Sequence, residues 1–319
     1  MTPTAIRPEK IRKDLAKLWV DLAGDQHGSE GGVLRACAMT FIVAVDERDD
    51  AQAVGQTIAE LMHEHPSRAI VLRIDGSNKE NLDARVFAQC WMPFGKHQQI
   101  CCEQIEIVTP ENLLADVRKL LLGLTVPDLP VMLWVRCPQL ASHPDLAQVF
   151  SLTSKIIIDS AQFGDPEDGF EFVSTRVRKG INLVDLEWTR LTPWRSLIAQ
   201  IFENDRYRPS LAGIKTVRIG YSGSEAPVSA RYLRTWFKHA LPNASVRLEG
   251  GLAGSHGVAR IEIAGEDFSA TITRENGSAI LKIGELTRRM SMPGSSDRAL
   301  LREELSIAGP DPVFRSCFG

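Results

Sequence analysis

The feature that most constrains this chain is a set of short, almost wholly apolar runs closed by turn residues. Residues 131–135 (VMLWV), 155–159 (KIIID) and the longer 37–45 (CAMTFIVAV) are apolar at nearly every position. A strand with one wet face alternates, whereas a strand apolar throughout must be covered on both sides. Helices on both faces of a sheet provide that cover, so the first half reads as α/β. Amphipathic helices lie between the runs. Asp49 and Asp50 open one with Val54, Ile58, Leu61 and Met62 on a single face. Thr109-Pro110-Glu111 reads as a capped start for a second, with Leu113, Leu114, Val117, Leu120 and Leu121 inward and Gly123 closing it. Residues 69–74 read as a strand, and 143–152 can form a helix. Residues 86–92 and 100–108 could pair as a hairpin, which would make the sheet mixed.

The texture changes after residues 204–209. Residues 214–221 read as a strand, and Ser229 as the cap of a helix carrying Leu233, Trp236, Phe237 and Ala240. Short alternating runs follow at 245–248, 258–263, 268–274, 279–283 and 287–292, with Asn276-Gly277 as a hairpin-turn signal. The expected architecture is an N-terminal mixed-sheet α/β domain followed by a smaller α+β domain with an antiparallel meander of five strands. At 319 residues the chain can bury two cores. The expected divisions are 1–32, an N-terminal helix (Ile11, Leu15, Leu18, Trp19 and Leu22 on one face) with a glycine-rich connector; 33–205; and 206–319.

Charge excludes some functions. The formal net charge is −3, too weak a positive field for a general nucleic-acid binder. Residues 206–319 hold 16 Lys+Arg against 11 Asp+Glu, so a mildly basic back half follows an acidic front half. Five of the six cysteines, Cys37, Cys90, Cys101, Cys102 and Cys137, lie in or beside apolar runs, where a thiol acts as a small hydrophobe, and Cys317 looks exposed. The expectation is reduced thiols and a cytoplasmic protein. Met1-Thr-Pro-Thr lacks the apolar core of a signal peptide, and no apolar run approaches membrane-spanning length.

Searches for chemistry come back empty. No segment spaces glycines, Lys and Ser/Thr as a phosphate-binding loop does, and Gly28, Gly31 and Gly32 precede a strand instead of joining a strand to a helix. Gly220-Tyr-Ser222-Gly223 resembles part of a serine nucleophile elbow but lacks its second glycine, and reads better as a strand-to-helix turn. Cys90, His97, Cys101 and Cys102 are the best metal candidates. However, Cys101 and Cys102 on one strand point to opposite faces, so they cannot share an ion unless the strand breaks. His63 and His65 do not share a helical face. No catalytic residue, metal or cofactor is therefore expected.

Seven segments in order carry a family resemblance: RACAMTFIVAV from Arg35, HPSRAIVL from His65, CCEQI from Cys101, VPDLPV from Val126, LW from Leu133, DS from Asp159, and DLEWTRLTPWR from Asp185. Together they resemble the OpcA family, the glucose-6-phosphate dehydrogenase assembly proteins. That resemblance implies a non-catalytic accessory protein that binds glucose-6-phosphate dehydrogenase and promotes its active assembly or activity. Trp188, Trp194 and Arg195 are residue types favoured at interface hot spots. Arg68, Arg190 and Arg195 could hold an anion or a carboxylate. These five residues are the candidate partner-binding set, with core packing and structural ion pairing as the alternatives. The competing function is an enzyme or sensor that binds a sugar phosphate or nucleotide through the arginines of the back half. It would show a deep pocket with converging cations. A nucleic-acid adaptor rests only on the basic back half, and neither nucleic acid nor membrane is an expected partner.

Overall fold

The apolar runs of the first half become strands because each pairs on both edges and is covered on both faces. In the computed structural model, residues 7–24, 33–76, 82–93, 99–252, 257–307 and 309–318 are described. The glycine-rich connector from residue 25 to 32, and His97, lie outside them. The chain divides into two units: Met1–Asp159 with Asp297–Gly309, and Ser160–Ser296 with Pro310–Gly319.

The first unit runs α1 (Pro8–Gly24), β1 (Val33–Arg35), β2 (Met39–Asp46), α2 (Ala51–Met62), β3 (Ser67–Asp75), β4 (Asp83–Trp91), β5 (Gln99–Pro110), α3 (Leu114–Leu122), β6 (Val131–Val135), α4 (Pro138–Ser142), α5 (Pro144–Ala147) and β7 (Lys155–Ile158). Within it the strands are ordered β1-β5-β3-β2-β6-β7, all parallel, and β4 pairs with β5 antiparallel. The mixed sheet is as expected. Every residue of β6 and β7 is buried, as both-face cover requires. Asp50 caps α2 by accepting from the backbone N–H of Gln52 and Ala53. Thr109 does not cap: β5 pairs with β3 as far as Pro110, which keeps Thr109 in the ladder, and its hydroxyl donates to the Pro110 carbonyl at 3.2 Å.

The register of β4 against β5 corrects the expectation for the cysteines. Cys90 stands directly opposite Cys101, and the two form a disulfide. The hairpin was legible, but which residues oppose each other was not. The other thiols fit the hydrophobe reading: burial pushes Cys102 and Cys137 up to about 11. Cys317, expected to be exposed, is half-buried, and its burial pushes it up to about 12.

The second unit runs α6 (Pro166–Arg178), β8 (Leu183–Asp185), α7 (Leu186–Thr189), α8 (Thr192–Glu203), β9 (Ile214–Ser222), α9 (Val228–Ala240), β10 (Ser245–Leu252), β11 (Val258–Gly265), β12 (Ser269–Glu275), β13 (Ser278–Ile283) and β14 (Leu286–Ser291). Its sheet order is β10-β9-β11-β12-β13-β14. Strands β11 to β14 form the antiparallel meander, with Asn276 (φ 45°) and Gly277 (φ 74°) both left-handed, as the tight turn between β12 and β13 demands. β10 departs from the expected five-strand meander. It lies parallel to β9, because α9 between them serves as a crossover.

The division of the chain also differs from the expected break at 205/206. Residues 160–205 belong with the second unit because α6 and α7 pack on α9, and Trp188, Tyr232 and Phe314 share one aromatic cluster. Conversely, α10 (Asp297–Leu305) belongs to the first unit, while α11 (Pro312–Ser316) belongs to the second. α10 packs on α2, and its Arg298 and Arg302 pair with Glu60 and Glu64. The ammonium of Lys155, 1% exposed, donates to the Glu304 carboxylate at 3.1 Å and to its carbonyl at 2.9 Å. Arg136 bridges Asp49 and Asp297. Among the described residues no helix is long and apolar enough to cross a membrane.

Candidate functional site

Arg68, near the start of β3, is built into the first unit. It is 9% exposed; its Nε donates to Glu103 at 2.6 Å, and its Nη1 donates to the Leu124 carbonyl at 2.7 Å, just past the end of α3. Glu103 also accepts from Trp19 Nε1 on α1 at 2.6 Å and pairs with Arg35 at 2.8 Å. The Arg35 guanidinium lies 5.4 Å from the Trp19 ring centre. A buried carboxylate is stable when opposite charge and donors surround it, and here it ties α1, β1, β3 and β5 together. Arg68 is consumed by that network.

The other four candidates come together in the second unit. Trp188 on α7 is 2% exposed, donates from Nε1 to Asp311 at 2.9 Å, and packs against Phe314 and Tyr232. The Arg195 guanidinium lies 3.7 Å from the Trp188 ring centre and donates to the Thr192 hydroxyl at 3.0 Å. Thr192 is the first residue of α8, and its hydroxyl accepts this contact. Trp194 is buried in phase with Leu197, Ile198 and Ile201, and Arg190 pairs with Glu187 at 2.9 Å. Behind them Asp185 accepts from the backbone N–H of Ser160 and Glu187, both at 3.0 Å, and from the Tyr232 hydroxyl. Burial, then the Asp185 charge, hold the Tyr232 phenol well above its usual range. Several polar and aromatic side chains of the DLEWTRLTPWR motif thus make contacts within the fold.

Two of the four nevertheless reach a cleft. Arg190 and Trp194 line a cavity of about 640 Å³ within the second unit, between the end of α7, the turn after β9 and the start of α9. Gly223 (φ 90°) and Gly257 (φ 102°) form part of its wall, in conformations that side chains disfavour. The turn of Gly220–Gly223 thus connects strand to helix, as the sequence suggested. Two lining residues escaped the sequence reading. Arg274 lies on β12, three strands after β9 in sequence order. Ser229 was taken for a helix cap, yet α9 starts at Val228 with Pro227 as its N-cap. The Ser229 hydroxyl is buried and has no hydrogen-bond partner among the described residues. The cleft is lined by both polar and apolar side chains, and among the described residues no group of three or more His, Cys, Asp or Glu could hold a metal ion.

Comparison with known proteins gives the family. Residues 58–175 match a model described as the glucose-6-phosphate dehydrogenase subunit N-terminal domain, and residues 181–318 match its C-terminal domain. A curated protein named OpcA from Nostoc punctiforme is 25% identical over 230 residues, covering 71% of this chain and 49% of the relative. One from Synechocystis is 27% identical over 187 residues, covering 58% of this chain and 38% of the relative. The chain spans half or less of the length of these curated relatives. A biliverdin reductase structure from Synechocystis aligns with 88% of this chain and 95% of its own at 11% identity and a TM-score of 0.44, a likeness that carries no argument. With both family models matched in succession across most of its length, the chain belongs to the OpcA glucose-6-phosphate dehydrogenase subunit family.

Proposed function

We propose that this chain is a non-catalytic accessory subunit that binds glucose-6-phosphate dehydrogenase in the cytoplasm and promotes its active assembly. The observation that carries the reading is the family match, which runs through both units instead of covering one module. The polar side chains best suited to chemistry support it. Arg68, Glu103, Asp185 and Tyr232 are engaged inside the fold.

An activator works by binding the active form of its partner better than the inactive one. A tenfold preference needs only about 1.4 kcal/mol, within reach of a few surface anchors. Trp188 and Trp194 are buried in this chain, so the reading calls for exposed residues as anchors. The test is to titrate purified chain into its cognate dehydrogenase while following activity and sizing the mixture by light scattering. A saturable rise in activity with a shift in mass is the expected outcome. No association and no change in rate across the series would sink the reading.

A further inference from the structure

We propose that the cleft of the second unit binds a small organic phosphate, its anionic head held at the first turn of α9. Nothing in the accessory-subunit reading requires this site. A helix start presents backbone N–H groups and a positive dipole end, and α9 at 13 residues is long enough for both to matter. Its first intrahelical bond runs from Ala230 N–H to the Pro227 carbonyl, so the N–H groups of Val228 and Ser229 precede the helical ladder. Pro227 supplies no side-chain cap.

The second observation is the Ser229 hydroxyl. Ser229 is 4% exposed and is one of the residues lining the cleft, and its hydroxyl is buried with no partner among the described residues. An unmade hydrogen bond on a buried hydroxyl costs free energy that a ligand oxygen would recover. The hydroxyl faces Gly257, lying 3.8 Å from where a Cβ would stand on that residue, and Gly257 is itself part of the cleft wall. The same cleft also carries cationic charge. Arg274 lines the cleft with no carboxylate at ion-pair distance among the described residues. Of the two acids on the wall, Glu187 is already paired with Arg190, and Glu225 is exposed on the turn.

A tetrahedral dianion matches this set better than a carboxylate, because it offers acceptors to backbone N–H, hydroxyl and guanidinium at once. The volume of about 640 Å³ holds far more than an ion. Trp194 and Leu191 offer an apolar wall for the organic body.

The test uses the full chain alone, so its outcome is independent of whether the dehydrogenase binds. Inorganic phosphate, glucose 6-phosphate and glucose are titrated calorimetrically at constant ionic strength. The expected result is saturable binding of both phosphates, tighter for glucose 6-phosphate, with no heat from glucose. Arg274→Gln should weaken phosphate at least about tenfold. Ser229→Ala should weaken it by roughly fivefold while leaving the melting temperature of the ligand-free chain unchanged or raised, since it removes an unsatisfied hydroxyl. Absence of saturable phosphate binding, or binding that neither substitution weakens, would overturn the proposal. Equal affinity for the two phosphates would overturn its organic part.

Discussion

Each unit buries a carboxylate that ties separate segments together, Glu103 in the first and Asp185 in the second, and the two are met by different donors. Glu103 in the first unit is met by cations, Arg68 and Arg35, with the Trp19 indole as a third donor. Asp185 in the second unit has neutral donors among its partners, two backbone N–H groups and the Tyr232 hydroxyl. Glu103 therefore acts as a charge-neutralising clamp between distant segments, with sequence separations of 84 to Trp19 and 35 to Arg68. Asp185 serves as a local cap for α7 that is additionally anchored to α9. A clamp built on charge fails badly when one partner is removed, because the other is left ionised and buried. One built on neutral donors fails more gently.

The largest effect should follow Glu103→Ala. With the Arg68 guanidinium left buried, stability should fall by about 3–5 kcal/mol in denaturant unfolding. The double substitution Glu103→Leu with Arg68→Met should recover most of that loss. If the single variant costs under 1 kcal/mol, Glu103 is no charge clamp.

Tyr232→Phe should cost less, about 2 kcal/mol, since it removes one donor to a charged acceptor. This contact also carries a pH signature. The phenol pKa is raised in the folded chain, so its contribution is complete below the unfolded value of about 10 and is lost as pH rises through the folded value. The gap in stability between wild type and Tyr232→Phe should therefore narrow above pH 10. A gap that widens there would show the contact to be read wrongly.

The smallest effect belongs to Arg195→Ala. It loses a cation–ring contact with Trp188 at a half-buried position, worth about 1 kcal/mol by thermal or denaturant melting. Loss of dehydrogenase binding without any loss of stability would return Arg195 to the interface.

What was legible in the sequence was what neighbouring residues decide. The run VMLWV is β6 to the residue, and Asn276-Gly277 is a left-handed turn, because side-chain size and local backbone preference set both. What escaped was what distant residues decide. Cys90 opposite Cys101 depends on hairpin register, and β10 beside β9 depends on the crossover hand of α9. Ser229 looked like a cap because hydroxyls favour that position, yet Pro227 takes it and the hydroxyl is left buried without a partner among the described residues. Of the five candidate partner residues, Arg190 and Trp194 line that cleft, Arg68 lies in the other unit, and Trp188 and Arg195 pack on each other behind the motif. Aromatic and arginine content marks hot spots and buried clusters alike, so composition could not separate the two.

The return of α10 to the first unit has a consequence for how the chain is made. Translation delivers residues in order, so Lys155 leaves the ribosome well before Glu304, the carboxylate that receives its ammonium inside the first core. Asp297 likewise arrives long after Arg136. The whole second sheet must be synthesised in the interval, and a nascent first unit therefore waits, with the Lys155 ammonium of β7 without its Glu304 carboxylate, until α10 emerges. The first unit is therefore complete only once the chain has been synthesised through α10.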